Sequence, residues 1–198
     1  MHEKLWEQLL ELDPQKTAKR VKCGYLKDSN QYCVKFLSVE YTVDIDEKQI
    51  FTKSEDDESV GAGFMEQLCI LAYLIKSVKV PLSRRLVTGD KLESGEFFFR
   101  GPHVIPTGKL EDVFGYNPDL IYSAIKGMDA KKASYGDASV EIKIFGRLPV
   151  TFVVWGADDE FPARGSILFD QSATSHLPLD ALLAAVDITV KSLISAIS

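Results

Sequence analysis

Leu5, Leu9 and Leu12, with Trp6 and Leu10 beside them, recur every three to four positions and predict a helix ending at Asp13-Pro14. Pro14 suits the first turn of a second short helix that carries Ala18 and Val21. Charges outnumber apolar positions here, so residues 1–22 read as a helical arm whose removal should leave the remainder folded. The period then changes to two. Tyr32, Val34 and Phe36 alternate with Cys33, Lys35 and Leu37, and Val39, Tyr41 and Val43 alternate with Glu40, Thr42 and Asp44. These alternations predict a strand pair, with a third short strand near Gln49-Ile50-Phe51. Past Gly61-Ala62-Gly63, Phe64, Leu68, Leu71, Ile75 and Val78 mark a helix that is apolar nearly all round, which belongs inside a core.

From Pro81 to Pro118 glycine and proline interrupt every pattern, yet Phe97-Phe98-Phe99, Val104, Ile105, Leu110 and Phe114 are too apolar to stay in water. A long irregular segment that must still be ordered is a place to look for a site. A helix is expected near 118–127. The strongest alternation follows, with Val140, Ile142 and Ile144 on one side, a Gly146-Arg147 turn, and a more continuously apolar return from Val150 to Trp155. Gly165 to Phe169 supplies another strand, and Leu179, Leu182, Leu183, Val186, Val190 and Leu193 stripe a C-terminal helix. Strands in two sequential groups, each followed by a helix, define an α+β protein. The expected organisation is one domain over 23–198, with a single mixed, mainly antiparallel sheet, helices on one face and the arm at an edge.

Composition narrows the function classes. Of 198 residues 45% are hydrophobic and 26% charged, with a net charge of −6, which gives no electrostatic reason to expect nucleic acid or anionic lipid as partner. Cys23, Cys33 and Cys69 form no close pair, so neither a disulfide framework nor a zinc or iron–sulfur site is expected. The N-terminus lacks a signal pattern and the longest uncharged apolar run, Leu68 to Ile75, falls far short of the roughly 20 residues a membrane helix needs. A cytoplasmic protein is the expectation. The acidic run from Ser54 to Ser59 lacks calcium-loop spacing, and the glycines at 61 and 63 lack a nucleotide-loop pattern.

Candidate chemistry centres on two histidines. His103 follows Gly101-Pro102 and three phenylalanines; His176 precedes the last helix. An imidazole fixed by proline beside an aromatic wall suits an axial ligand to a flat apolar cofactor such as haem or a corrinoid, with His103 on the metal. If Phe97-Phe98-Phe99 is a short strand, Phe97 and Phe99 share one face and line the cavity with His103, while Phe98 turns to the other. His176 is the second cofactor-binding candidate. Two alternatives stay open: a small-molecule enzyme with His103 or His176 as base and Asp137 or Asp170 as partner, and an interaction module that uses the N-terminal helices. No nucleophile motif of the G-x-S-x-G or HExxH kind is present.

The blocks Phe97-Phe98-Phe99-Arg100-Gly101-Pro102-His103, Gly136-Asp137, Phe161-Pro162-Ala163 and Leu168-Phe169-Asp170-Gln171-Ser172-Ala173 resemble, in that order, a domain-of-unknown-function family of anaerobic bacteria and archaea. The resemblance runs from about Tyr32 to the C-terminus. Some members of that family carry a fused iron–sulfur module like that of corrinoid iron–sulfur proteins. The resemblance therefore implies anaerobic cofactor chemistry. Because this chain has no cluster cysteines, it implies a separate iron–sulfur or corrinoid protein as partner. It carries over no catalytic residues.

Overall fold

The structure, a computed structural model, describes residues 2–54 and 56–197. Its strands form two antiparallel sheets of five. The first is a meander, β1 (Gly24–Leu26), β2 (Gln31–Phe36), β3 (Val39–Asp44), β4 (Gln49–Lys53) and β5 (Ser59–Gly61), in sequence order. The second contains β6 (Leu86–Thr88), β7 (Ala130–Lys132), β8 (Ala138–Phe145), β9 (Leu148–Trp155) and β10 (Arg164–Asp170), ordered β6-β10-β9-β8-β7. The edge strands of both sheets, β1, β5, β6 and β7, are each three residues long.

The α+β class and the antiparallel pairing follow the hydrophobic pattern; the single sheet does not. The reason lies at the β2–β3 turn, where Leu37 and Ser38 adopt positive φ of 48° and 71°. That tight turn points the hairpin end-on at β8. Leu37 donates its N–H to Ile144 O at 3.1 Å, Phe36 stacks on Phe145 at 4.8 Å, and Ser38 Oγ accepts the Asp129 N–H at 2.6 Å. Two sheets therefore abut through a hairpin tip and share one hydrophobic core instead of merging edge to edge.

β8 and β9 are joined by the expected two-residue turn, with Phe145 opposite Leu148. Helix α5 (Thr107–Phe114) packs on β9 and β10, and α6 (Leu120–Ala124) on β8. Helix α3 (Phe64–Lys76) pairs with α7 (Leu179–Ser195), and α1 (Glu3–Leu10) and α2 (Pro14–Val21) pack against α3. Asp13 caps α2 by accepting the Lys16 N–H at 2.8 Å, and Pro14 occupies its first turn. Glu66 reaches back to the Gly63 N–H at 2.6 Å and secures the start of α3.

The N-terminal helices are tied more closely than their charge pattern suggests. Trp6, Leu9, Thr17, Ala18 and Val21 are buried. Arg20 donates from its terminal nitrogens to Ser77 O and Leu74 O, so its guanidinium caps the last turn of α3. Tyr73 Oη donates to Val21 O at 2.8 Å, and Arg147 Nε to Arg20 O at 2.7 Å. These contacts run against the expectation that residues 1–22 are dispensable for folding.

The strand expected at Phe97-Phe98-Phe99 is instead a helical turn, α4 (Gly95–Phe98). Ser94 takes a left-handed conformation, and Gly95 lies so close to Gly89 O that a Cβ there would sit 2.0 Å from it. The chain doubles back, and the Phe99 N–H bonds Gly95 O at 3.0 Å. Among the described residues no helix is long and apolar enough to cross a membrane.

Candidate functional site

A groove of about 830 Å³ opens between four parts of the chain: the first turns of α3, the segment 98–106, the start of α5, and one face of α7. Its apolar lining includes Met65 and Leu68 from α3, Phe98, Val104 and Ile105 from the segment, and Leu183 and Ile188 from α7. Charges collect at its sides. Lys109 and Lys191 each reach Asp187 at 2.7 Å, and Asp112 and Asp180 add two more carboxylates. Burial opposes ionisation of Asp187, yet the bonds from both lysines outweigh it and hold the carboxyl below its ordinary range.

His103 sits on the groove at the end of a single 3₁₀ turn, Gly101–His103. Gly101 supplies the φ of +59° that this turn requires, and Pro102 stiffens the approach. The imidazole stacks on Phe98 with ring centroids 4.5 Å apart and planes 6° from parallel. That stacking leaves both nitrogens at the ring edge, and among the described residues neither has a hydrogen-bond partner. A fixed imidazole with free nitrogens can ligate a metal centre or donate and accept hydrogen bonds to a ligand.

Helical rotation distributes the three phenylalanines differently from a strand. Phe98 lines the groove, Phe97 is 79% exposed beneath the Arg100 guanidinium, and Phe99 turns inward to stack near Phe169 at 6.5 Å. Phe97 and Phe99 thus lie off the groove surface that His103 and Phe98 share.

The structure places His176 elsewhere. It is 1% exposed, with Nδ1 at 3.0 Å from Ser77 Oγ and no partner for Nε2 among the described residues. Burial, followed by the positive charge of Arg147, pulls its pKa down to about 4, with Asp170 opposing. It is therefore neutral at physiological pH and sealed from solvent. Neither histidine hydrogen-bonds a carboxylate. Asp170 is saturated by donors from Ser83, Arg84 and Ser172, and Asp137 accepts the Gly156 N–H at 2.8 Å, so both serve turns. Cys69 is buried with Sγ at 3.4 Å from Ala181 O, and burial pushes the Cys23 thiol up to about 12. Among the described residues no group of three or more His, Cys, Asp or Glu side chains is placed to hold a metal ion.

Half of the groove escaped sequence reasoning because α3 and α7 read simply as core helices. One signal was present. The charges of α7 within its apolar run are Asp180, Asp187 and Lys191, spaced seven and four residues apart, and all three line the groove. Charges confined to one stripe of an otherwise apolar helix mark a face that is not packed against protein.

Fold and groove together define a two-sheet α+β protein with a largely apolar surface groove. The chain belongs to the family described as Domain of unknown function (DUF3786), which it matches over residues 13–192. Comparisons with curated proteins and with solved structures returned no match.

Proposed function

We propose that the protein is a small-ligand-binding module whose ligand is flat and mostly apolar, of the tetrapyrrole class of haem or a corrinoid. The observation that carries this reading is the stacked Phe98–His103 pair, with free imidazole nitrogens, on an apolar groove of about 830 Å³. Ligand pockets commonly span about 300–1,000 Å³ and combine apolar walls with a few orienting polar groups. The volume and the apolar lining of the groove support such a macrocycle as ligand. The rim sharpens the fit: Asp112, Asp180 and Asp187 face only Lys109 and Lys191, both already bonded to Asp187. A periphery of amides, as in a corrinoid, suits that rim better than the free carboxylates of haem, which would compete with Asp187 for the lysines.

In this reading His103 would hold the metal, Phe98 would fix the imidazole plane, and Leu183 and Ile188 would exclude water from the ligand. A tetrapyrrole metal would supply ligand-exchange or one-electron chemistry when bound. The cysteines form no cluster site, so electrons would come from a separate iron–sulfur or corrinoid protein, in cytoplasmic anaerobic cofactor metabolism. Titration with hydroxocobalamin and with haemin tests the proposal by visible absorption. Saturable binding is expected, tighter for the corrinoid, with the spectral shift lost in His103→Ala and weakened in Leu183→Asp. Wild-type protein that saturates with neither probe, or spectra unchanged in both variants, would overturn it.

A further inference from the structure

Away from the groove, a second recess runs along the β8–β9 turn beside the end of α2. It consists of two cavities of about 200 and 140 Å³ that share Lys22, Lys143 and Gly146 as lining. Its charge is opposite to that of the molecule. Lys22, Lys35, Lys143 and Arg147 line it against Asp129 and Glu141, a local excess of two positive charges on a chain of net charge −6. The two acids are partly engaged, with Glu141 at 2.9 Å from Lys131 outside the recess and Asp129 at 3.2 Å from Lys143.

Arg147 is the focus. It is half-buried, its Nε donates to Arg20 O at 2.7 Å, and among the described residues no carboxylate lies within ion-pair distance of it. Among the described residues its two terminal nitrogens find no acceptor. Removing a guanidinium from water without a counter-ion is costly, and the group that compensates it best is a planar or tetrahedral oxyanion gripped by the fork. The α2 carbonyls that would repel an anion here already accept protein donors, Arg20 O from Arg147 and Val21 O from Tyr73. The positive field also reaches inward, since Arg147 contributes to keeping His176 uncharged.

We propose that this recess binds the phosphate group of a small phosphorylated molecule, with Arg147 as the bidentate anchor and Lys22 and Lys143 as further charges. A phosphate monoester carries nearly two negative charges at neutral pH and matches the local excess. Val80, Pro81, Leu82 and Pro149 give one side of the recess an apolar wall for the organic part. The small volumes and the overall negative charge disfavour a polyanion such as nucleic acid.

Isothermal titration at low ionic strength with inorganic phosphate and with glycerol 3-phosphate tests the site, with succinate and phosphatidic-acid vesicles as comparators. Both phosphates should bind, glycerol 3-phosphate more tightly, and succinate more weakly. Arg147→Gln should lower phosphate affinity roughly tenfold or more, Arg147→Lys and Lys22→Gln less, and Lys53→Gln not at all. Arg147→Gln also removes a bond to α2, so its thermal transition is recorded without ligand, and Lys22→Gln, on an exposed residue, stands as the variant independent of folding. No heat with either phosphate, equal affinity in wild type, Arg147→Lys and Lys22→Gln, or binding to vesicles without binding to soluble phosphate would overturn the proposal.

Discussion

The two sheets use the same antiparallel chemistry and reach different ends. In the first, β2 and β3 alternate buried and accessible positions, and β5 is exposed throughout. In the second, six of eight residues in β8 and six of eight in β9 are buried, because α5, α6, the β2–β3 hairpin tip and Tyr73 of α3 all pack against these strands. A one-sided sheet tolerates change on its wet face. A two-sided sheet does not, and it also seals in whatever polar groups it carries. The groove and the basic recess both adjoin elements packed on the second sheet, with His103 on a single 3₁₀ turn and Arg147 in the two-residue β8–β9 turn.

Removal of residues 1–22 gives the largest expected effect, because those residues brace both halves through Trp6, Leu9, Val21 and the Arg20 cap on α3. Loss of the cooperative thermal transition is expected by calorimetry; a sharp transition near the full-length temperature would show that the arm only rests on the core. Next comes a direct contrast between the sheets. Phe152→Ala in β9 should cost about 3–5 kcal/mol in urea unfolding, whereas Phe51→Ala in β4, half-buried, should cost roughly 1 kcal/mol. Equal costs would erase the distinction.

A pH measurement sharpens it further. His176 titrates near 4 when folded against about 6.5 in the unfolded chain, so the unfolded chain binds more protons between those values. Stability is full above pH 6.5 and falls as pH drops toward 4, by on the order of 3 kcal/mol. Urea midpoints for His176→Gln should show a flatter slope in that window, and an unchanged slope would place the proton uptake elsewhere. The smallest contrast concerns glycines. Gly136 has φ of +58°, and a Cβ there would sit 2.8 Å from both Val153 Cγ1 and Val154 O, so Gly136→Ala should cost about 2 kcal/mol. Nothing lies within 4 Å of a Cβ at Gly61 in the first sheet, and Gly61→Ala should stay within about 0.5 kcal/mol.

Period-two patterns at 32–43 and 140–154 and the apolar helices at 64–76 and 179–195 were readable because burial imposes its periodicity directly on the chain. The phenylalanine triplet was not, since three consecutive aromatics fit a strand or a helical turn equally well and only the Gly89–Gly95 approach decides between them. His103 stood out as a loop histidine after proline, but its partners on α3 and α7 come from 35 to 88 residues away and no local pattern announces them. His176 shows the converse. Its position before a helix invited a functional reading, while the Ser77 contact that encloses it spans 99 residues of sequence.

The four three-residue edge strands carry a consequence for how copies of the molecule meet. An incoming strand could form only a short ladder on any of them, too little hydrogen bonding to hold two chains together. β7 adds Lys131 and Lys132, whose like charges would face each other across such a pairing. Crowded in a concentrated solution, the protein would therefore encounter its own sheet edges repeatedly without nucleating a fibril.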